Sequence, residues 1–545
     1  IFSLTTNQNI MNGQFYKCAI FILSVSFLFS CSGLKKAAEQ ESLAKPAIIP
    51  LPMKLSWGEG SYVVPKMNTV CYGEGGAKTA AWLQKLLLNS GVTVNLNENN
   101  DLTCGNWKII KDVSLKGQLG DEGYLLNIGA EGVTLKGATD AGLFYDVQTL
   151  RQFFPPAIEQ NELKNVKVSL RYAKIEDKPA YSWRGTMVDV ARSFFDLNYL
   201  KRHVDRMALY KLNRLHLHLT DDQGWRIEIK SKPKLTELAS KGSIEGGRSG
   251  YLTQEEYKEL QDYALERNII IIPEIDMPGH IYSALQAYPE LNCPENSNIH
   301  PQKALPPDFY GGEEVGWSRF CLANPKTYDF VSEVVGELAG ITKGPWIHMG
   351  GDEIEDPLYQ EFVVKADSIV HHYNKIPIGW EEVTQTKVSP DFISQNWNGK
   401  TKSVMKDVKI IESICSYFYL DHGNTAEQKN TATWCTQGIT VEHIYSFSTS
   451  NPNVIGVEAP VWTEKVHSDE ALDDRFWPRA AAVAEVAWTS SEKREFADFK
   501  ERLAQHGSRL SEMGVHFFTS PGINWQKGND IKKPNGVFSN VSTSK

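Results

Sequence analysis

Two adjacent acids, Asp352 and Glu353, are the residues best placed to do chemistry. They follow Gly350-Gly351, and the glycines allow a sharp turn that could bring both carboxyls into one pocket. Cleavage of a glycosidic bond needs a proton donor for the leaving oxygen and a group that stabilises an oxocarbenium-like centre, which paired acids can supply. Crowding and partial burial would raise the pKa of one acid and keep it protonated near neutrality. The alternative interpretation is a helix N-terminus whose two acids only complement the helix dipole.

The elements that must position these acids are strands and helices in alternation beyond Pro179. Helical patterns lie between most of the strands, for example at 197–211, and Thr253 with Glu256 forms a capping-box signature for the next helix. Continuous apolar runs indicate strands that helices cover on both faces. The alternation predicts an α/β fold, a (β/α)8 TIM barrel, whose active site lies at the C-terminal ends of the strands. The predicted strands are 184–190, 213–219, 269–275, 346–349, 377–380, 392–396, 409–415 and 454–458.

The residues that follow the predicted strands agree with that placement. Acids, aromatic residues and glycines are concentrated there, whereas the strand starts carry no comparable cluster. The sequence has no phosphate-binding glycine loop and no cysteine ligand set there, so the pattern favours carbohydrate chemistry. The segments are Asp189-Val190-Ala191-Arg192, Asp221-Asp222-Gln223-Gly224-Trp225-Arg226, Asp276-Met277-Pro278-Gly279-His280, Gly350-Gly351-Asp352-Glu353, Trp380-Glu381-Glu382, Trp397, Tyr417-Phe418-Tyr419-Leu420-Asp421 and Trp462-Thr463-Glu464.

Three separated motifs, in this order, resemble the β-N-acetylhexosaminidases of glycoside hydrolase family 20. They are His216-Leu217-His218-Leu219-Thr220-Asp221-Asp222-Gln223-Gly224-Trp225-Arg226, Pro273-Glu274-Ile275-Asp276-Met277-Pro278-Gly279-His280 and His348-Met349-Gly350-Gly351-Asp352-Glu353. The likeness extends from Ile48-Ile49-Pro50-Leu51-Pro52 to Pro478-Arg479-Ala480-Ala481. It implies an exo-acting, retaining enzyme that releases terminal, non-reducing β-linked N-acetylglucosamine or N-acetylgalactosamine from oligosaccharides or glycoconjugates and needs no cofactor or metal.

The resemblance also implies the roles of individual residues. Glu353 would be the general acid/base, and Asp352 would orient the 2-acetamido group of the substrate and stabilise positive charge on its nitrogen. The acetamido carbonyl oxygen itself would attack the anomeric carbon and form an oxazolinium intermediate, a substrate-assisted exception to the two-carboxylate scheme. Tyr419 would donate its hydroxyl to that carbonyl oxygen.

The remaining expected site residues surround the sugar. The resemblance implies an aromatic cage of Trp380, Trp397 and Trp462 and hydrogen bonds to sugar hydroxyls from Arg184, Asp421 and Glu464. Asp221 and His280 would position the acid/base. Simpler interpretations exist: a tryptophan is often a core residue, Asp421 and Glu464 could be solvated loop charges, and His280 could be a core histidine. Arg184 could pair with Asp189, and Asp222 could act in place of Asp221.

Two other classes of function fit part of the pattern. His216 and His218 lie on one face of a strand and, with His280, His348 and an Asp, could ligate a metal in a barrel hydrolase. The same alternation suits paired core histidines. A non-catalytic glycan-binding lipoprotein is the other alternative, although a pure binder does not need Glu353.

The composition and the two ends of the chain predict the partners, the location and the domain order of the protein. The 545 residues carry a net charge of −9, so nucleic acid is not an expected partner. Residues 1–31 resemble a bacterial lipoprotein signal that ends at Cys31, the expected acylation site, which predicts membrane association through a lipid anchor and a periplasmic or outer-membrane location in the cell envelope. A tether (32–47), an α+β domain (48–178), the barrel (179–520) and a polar tail (521–545) follow. Cys71 with Cys104 and Cys415 with Cys435 could form disulfides or remain free thiols.

Overall fold

A computed structural model describes residues 45–160, 167–293 and 308–526 of the chain. The expected signal segment with Cys31, most of the expected tether and the tail beyond residue 526 lie outside the described residues. Within the described ranges, no helix is long and apolar enough to cross a membrane. The fold consists of a mixed β-sheet domain followed by a barrel.

The N-terminal domain is a seven-stranded mixed sheet with helices packed on it. Helices α1 (Ala77–Asn89) and α3 (Asp140–Arg151) contact the sheet and each other, and α2 (Lys116–Leu119) is a single turn. The strand order is β1-β7-β5-β6-β4-β2-β3. The strands are β1 (Lys54–Val63), β2 (Met67–Tyr72), β3 (Thr93–Glu98), β4 (Trp107–Lys111), β5 (Tyr124–Gly129), β6 (Gly132–Gly137) and β7 (Ser169–Asp177).

The second domain is a closed eight-stranded barrel in which all neighbouring strands are parallel, which confirms the predicted TIM barrel. A two-stranded ribbon of β10 (Thr220–Asp221) and β11 (Gly224–Trp225) follows the second strand. Each of the eight predicted strand segments overlaps one observed strand. The barrel strands are β8 (Trp183–Asp189), β9 (Arg214–His218), β12 (Ile270–Glu274), β13 (Trp346–His348), β14 (Ile376–Trp380), β15 (Ile393–Asn396), β16 (Lys409–Glu412) and β17 (Val454–Val461).

Most barrel strands are followed by α-helices, but the chain between β14 and β16 is an exception. The 3-10 helix Glu381–Gln385 alone links β14 to β15, and no α-helix separates β15 from β16. The capping box predicted at Thr253 is present at the start of α6. The helices are α4 (Leu197–Leu209), α5 (Lys234–Glu237), α6 (Gln254–Leu265), α7 (Tyr282–Ala287), α8 (Pro325–Ile341), α9 (Tyr359–His372), α10 (Cys415–Phe418), α11 (Val441–Tyr445), α12 (Asp469–Phe476), α13 (Arg479–Trp488) and α14 (Phe496–Glu512).

The two domains share a buried polar interface around Asp177. Its carboxylate accepts hydrogen bonds from Tyr124 Oη (2.5 Å), Lys211 Nζ (3.1 Å) and Trp488 Nε1 (3.0 Å). A buried charge is tolerated only when it is paired and hydrogen-bonded. Asp177 belongs to the sheet domain and its cation to the barrel, so the domains must dock for either charge to be satisfied.

Arg184 belongs to this interface and not to the sugar pocket, which corrects the role that the sequence resemblance implied. It is the second residue of β8, so it lies at the N-terminal end of the barrel, and its side chain is completely buried. Its Nη1 and Nη2 atoms donate to the Glu122 carboxylate at 2.9 and 2.8 Å, and its Nε atom donates to the Lys211 carbonyl at 2.8 Å. Further bonds to Tyr181 O and Tyr145 Oη leave the guanidinium no donor for a sugar.

We expect Arg184→Gln to reduce stability without affecting substrate binding. The substitution leaves the Glu122 carboxylate without its bidentate partner at the domain interface, which costs roughly 3 kcal/mol of unfolding free energy. Denaturant unfolding and steady-state kinetics measure both effects, and Lys174→Gln, on the exposed side of β7, is the control with no expected effect. A rise in KM with unchanged stability would contradict this assignment and indicate that Arg184 binds the substrate.

Candidate active site

A cavity of about 560 Å³ opens at the C-terminal ends of the barrel strands. Acids and aromatic side chains from separate βα connections converge on it, as the barrel rule predicts. Of the expected site residues, eight line this cavity, while Asp221 and Trp380 lie behind its wall and Arg184 lies at the opposite end of the barrel. The lining residues are Arg192, His280, Glu313, Val315, Asp352, Glu353, Trp397, Tyr419, Asp421, Thr431, Ala432, Thr433, Trp434, Trp462, Glu464 and Lys465.

The two acids reach the cavity through a strained turn after β13. Gly350 (φ 65°) and Gly351 (φ 106°) adopt left-handed backbone conformations that favour glycine. A Cβ atom on Gly350 would lie 1.7 Å from Asp276 Oδ1, so no side chain fits there. Glu353 also has a positive φ of 58°, a conformation that costs free energy and is typical of functional sites. This turn therefore lowers the stability of the folded chain, and it places both carboxyls in the pocket.

One oxygen of the Asp352 carboxylate has no hydrogen-bond partner among the described residues. This atom, Oδ1, is shielded from solvent. Desolvation and the neighbouring Asp276 and Glu353 carboxylates raise the pKa of Asp352 well above its usual range, against the opposing effect of His280. A ligand that donates an N–H to this carboxylate and acquires positive charge would stabilise its charged form most strongly.

Glu353 is connected to the barrel through a histidine. His280 Nε2 lies 3.4 Å from Glu353 Oε2, and His280 Nδ1 lies 3.5 Å from Asp221 Oδ1. Asp221 is fully buried and also receives Arg192 Nη2 at 2.8 Å. Although burial opposes the charged form, the Arg192 and His280 cations hold the pKa of Asp221 below its usual range. The side chain of Glu353 is one-third exposed, so it can meet both ligand and water.

The adjacent acid, Asp222, has a different task. Its Oδ1 atom accepts hydrogen bonds from the Tyr282 backbone N–H at 3.0 Å and from the Ser318 hydroxyl. These contacts fix the start of α7 and the loop that follows it. The structure thus places Asp221, and not Asp222, in contact with the residues that reach Glu353.

Beneath the cavity, the barrel core contains a chain of histidines and carboxylates. His218 Nε2 lies 2.8 Å from Asp221 Oδ2, and His218 Nδ1 lies 2.5 Å from Glu274 Oε2. His216 Nε2 lies 3.1 Å from the same Glu274 oxygen, and His216 Nδ1 lies 2.8 Å from Glu458 Oε1. Glu274 pairs in register with His218 and with His348 on the adjacent strands, which explains why their side chains meet at one level of the barrel.

The charges in this chain stabilise each other. Burial lowers the pKa of a histidine, but the Glu274 and Glu458 carboxylates outweigh it and raise the pKa of His216 to about 9. The His218, His348 and His216 side chains hold the pKa of Glu274 well below its usual range despite its complete burial. The carboxylates also raise the pKa of His218, against the effect of its burial, and so favour the imidazolium form of both rings. All four ring nitrogens lie within 3.1 Å of a carboxylate oxygen, and the imidazolium form offers no free lone pair to a metal.

Glu274 also supports the aromatic part of the site. Its Oε1 atom accepts a hydrogen bond from Trp380 Nε1 at 2.9 Å, and Trp380 is almost completely buried. The Trp380 ring centroid lies 5.9 Å from that of Trp462, which faces the cavity. Trp380 therefore forms the layer behind the cavity wall, and one carboxylate holds both this layer and the histidine chain.

Aromatic rings form one side of the cavity. Trp397 and Tyr419 stack with centroids 6.5 Å apart, and Tyr419 lies 6.1 Å from Trp462. Trp397 Nε1 donates to the Glu382 carboxylate at 3.1 Å. Desolvation and the Asp352 charge raise the pKa of Glu382 to about 8. Trp434 adds an exposed ring at the rim, 5.8 Å from Trp397 and 5.7 Å from Tyr419.

Polar groups on the opposite side have free hydrogen-bonding capacity. Neither carboxylate oxygen of Asp421 has a hydrogen-bond partner among the described residues, although Asp421 is buried. Arg192 Nε is buried without an acceptor and lies 3.9 Å from Glu464 Oε1, and the guanidinium packs 4.8 Å from the Trp462 ring centroid. Burial, together with the Asp189 and Asp421 charges, raises the pKa of Glu464 to about 7 against the effect of Arg192. This side can hold sugar hydroxyls.

The loop that carries Tyr419 and Asp421 is fixed from several directions. A disulfide between Cys415 and Cys435 closes it, and the structure also joins Cys71 to Cys104 and Cys293 to Cys321. Arg479, fully buried, donates to the carbonyls of Leu420 (2.5 Å) and His422 (2.9 Å). Arg226 acts similarly on the Arg192 segment, since its Nη2 atom donates to the Ala191 carbonyl at 2.6 Å.

Sequence reasoning missed Arg192, Glu274 and Trp434. For Arg192 the signal was present, because the residue follows the predicted end of β8, where the barrel rule places functional groups, whereas Arg184 lies at the strand start. Glu274 is a charged residue inside an otherwise apolar strand, which is itself an indication of buried pairing. Trp434 lies in a loop without periodicity, so its place at the rim depends on the fold of 415–435.

Comparisons with known proteins agree with this geometry. The model of the glycosyl hydrolase family 20 catalytic domain matches residues 181–361 and 355–491, and that of the family's domain 2 matches residues 45–178. The chain belongs to glycoside hydrolase family 20. It is a glycoside hydrolase, as the sequence motifs predict, with the domain 2 and catalytic domain of that family in the same order.

Individual relatives cover nearly the whole chain. A β-hexosaminidase from Porphyromonas gingivalis is 31% identical over 92% of this chain and 68% of its own length. A β-N-acetylhexosaminidase from Cellulomonas fimi is 33% identical over 88% of this chain and 97% of its own. A solved structure of a mutant Streptomyces plicatus β-hexosaminidase in complex with product, GlcNAc, is 33% identical, with a TM-score of 0.81 over 89% of this chain and 99% of that one.

We expect Arg192→Lys to impair turnover. Lysine keeps the positive charge. However, its single ammonium group cannot bind Asp221 and also present an N–H to the sugar, as the planar guanidinium of Arg192 can through Nη2 and Nε. The resulting misplacement predicts a loss in kcat/KM on the order of 100-fold. Kinetics on a chromogenic glycoside, with Arg184→Lys as the matched control at the other barrel end, measure the difference. Equal losses in the two variants would contradict the assignment of Arg192 to the site.

A second substitution, Glu274→Gln, tests the histidine chain. Removal of the Glu274 charge lowers the pKa of His218 and weakens the charged state of the whole chain, so the alkaline limb of the kcat/KM profile should move to lower pH. Glu412→Gln, a buried glutamate at the end of β16, is the control. A Glu274→Gln profile with the wild-type limb would show that the chain only supports the fold.

Proposed function

We propose that this family 20 enzyme is an exo-acting β-N-acetylhexosaminidase that cleaves by substrate-assisted catalysis. The observation that carries the proposal is the pair of acids at the end of β13, one with an unsatisfied, shielded oxygen and one in contact with a positioned histidine. This arrangement contains a proton donor and a stabiliser of positive charge next to an aromatic wall. The GlcNAc product complex of the Streptomyces plicatus relative supports the same class of sugar.

In the proposed mechanism, Glu353 donates its proton to the glycosidic oxygen as the bond to the anomeric carbon breaks. The acetamido carbonyl oxygen of the substrate forms the new bond to that carbon, and its nitrogen becomes positively charged. Asp352 accepts the N–H and stabilises this charge, and Tyr419 binds the carbonyl oxygen. Glu353 then removes a proton from the water that opens the oxazolinium ring, which gives net retention.

The pocket shape supports action on a terminal sugar. Trp380 and Trp462 form layers at the bottom of the cavity, and Asp421, Glu464 and Arg192 offer a carboxylate, a second carboxylate and an N–H to hydroxyl groups. Charged partners give stronger hydrogen bonds than neutral ones. A wall of this kind holds one sugar ring and stops the chain from passing through, so we propose release of single GlcNAc or GalNAc residues from glycan ends.

We also propose that the enzyme acts in the bacterial cell envelope, as a lipoprotein anchored through Cys31 and located in the periplasm or the outer membrane. The residues 17–31 support this proposal, since a positive charge, a short apolar stretch and a Leu-Phe-Ser-Cys sequence are typical of lipoprotein signals. Metabolic labelling with a fatty acid, lost in Cys31→Ser, tests it.

The central prediction concerns Glu353 and the 2-acetamido group together. Glu353→Gln should lower kcat by about 10²–10⁴-fold on an unactivated glycoside, because the proton donor is lost. Glu355→Gln, an exposed acid two residues away, is the control. The wild type should hydrolyse an aryl N-acetylglucosaminide far faster than the aryl glucoside, and a chelator should not change the rate. A fully active Glu353→Gln, or equal rates on the two glycosides, would refute the mechanism.

A further inference from the structure

A second cavity, remote from the active site, lies between the two domains. Its volume is about 310 Å³, at the lower end of small-molecule sites. Helices α1 and α3 of the sheet domain, helices α4 and α6 of the barrel and the 3-10 helix Pro156–Gln160 form its wall. Apolar side chains of Leu86, Val147, Ile158 and Met513 cover part of this wall. A ligand there would contact both domains at once.

Cations dominate the polar lining of this cavity. Lys85, Arg151, Arg202, Arg206 and Arg267 face it, against only Glu159 and Asp205. Both acids are already engaged. The Glu159 carboxylate receives Arg151 and Arg509, and Asp205 accepts from Arg267 Nε at 2.6 Å and Tyr263 Oη at 2.7 Å. The acids therefore have little capacity left for the other cations.

Several donors at the cavity have no acceptor among the described residues. Arg206 is 2% exposed, and in the described ranges its guanidinium makes a single hydrogen bond, from Nη1 to Asp473, of the five N–H groups that it offers. Gln148 is 1% exposed. Its Oε1 atom accepts from Arg151 Nη1 at 3.2 Å, and its NH2 group has no acceptor among the described residues. Arg267 uses Nε and Nη1 and leaves Nη2 free among these residues.

These donors face the cavity, and a ligand that supplies charged acceptors can form strong hydrogen bonds with them. Arginine forks match the geometry of carboxylate and sulfate groups. At about 30 Å³ for each water, the cavity has room for roughly ten waters, more than a bare inorganic anion fills. The apolar wall suits the C–H face of a small organic ring, and the Trp82 ring lines the same cavity.

From this arrangement we infer that the interdomain cavity is a binding site for an anionic monosaccharide unit, a sugar that carries a carboxylate or a sulfate. Arg206, Arg267 and Gln148 hold the anionic group, and the apolar wall receives the ring. Because helices of both domains form the site, occupancy stabilises their docked arrangement.

The test measures the melting temperature of the full chain at constant ionic strength with glucuronate, glucose 6-sulfate or neutral glucose. Saturating GlcNAc is present throughout to occupy the active site. We expect a saturable rise with at least one of the two anionic sugars and none with glucose. The anion that gives the stronger response identifies the preferred group.

Two variants locate the response. Gln148→Glu keeps an acceptor for Arg151 but places a negative charge in the cavity, and Arg206→Gln removes the main unused donor; each should weaken binding at least tenfold. Because Arg206 also pairs with Asp473, Gln148→Glu keeps the test valid if Arg206→Gln fails to fold. Lys174→Gln should bind like the wild type. No response to either anionic sugar, an equal response to glucose, or an unchanged response in a folded Gln148→Glu variant would overturn the inference.

Discussion

A buried chain of alternating charge connects the centre of the barrel to the catalytic pocket. From core to cavity its members are Glu458, His216, Glu274, His218, Asp221, His280 and Glu353. No single member would be stable as an isolated ion in this interior, since desolvation of a charge costs several kcal/mol. Each ion is tolerated because its neighbours carry the opposite sign. The geometry of the acid/base is therefore set by contacts that begin deep in the barrel, far from any substrate.

The rest of the site depends on backbone segments that leave the strands at defined angles. Gly350 and Gly351 turn the chain towards the pocket, and buried arginines bind the carbonyls of the loops that carry Arg192, Tyr419 and Asp421. Arginine suits this task, because one guanidinium can satisfy several carbonyls at once. The pocket is thus largely preformed. Several groups that have no hydrogen-bond partner among the described residues belong to its lining, including Asp352 Oδ1, both Asp421 oxygens and Arg192 Nε.

Much of this architecture could be predicted from the sequence. The eight strands are identifiable because parallel strands buried on both faces give continuous apolar runs. The segments after them contain nine of the sixteen residues that line the pocket. Arg184 shows the limit of transferring a motif: an arginine of the right type was assigned to the sugar, although its position at a strand start places it at the other end of the barrel. The role of Glu274 depends on strand register, and that of Trp434 on loop conformation, and neither can be obtained from periodicity.

The dual role of Glu274 also relates stability to function. The same carboxylate holds the imidazole that leads to the acid/base and the indole behind the aromatic wall. A rearrangement of the barrel core would therefore disturb proton transfer and sugar binding together. Such coupling explains why a hydrolase barrel tolerates several ions in its centre where apolar packing would be more stable.

In the proposed mechanism, the carbonyl oxygen of the substrate acts as the nucleophile. The most direct measurement is kcat/KM for a series of aryl glycosides whose 2-acetamido group carries zero, one, two or three fluorine atoms. Fluorine withdraws electrons from the carbonyl and changes its size little, so the account predicts a steep, progressive fall in kcat/KM with each substitution. A flat series would contradict it, because a nucleophile supplied by the protein does not respond to the electron density of the amide.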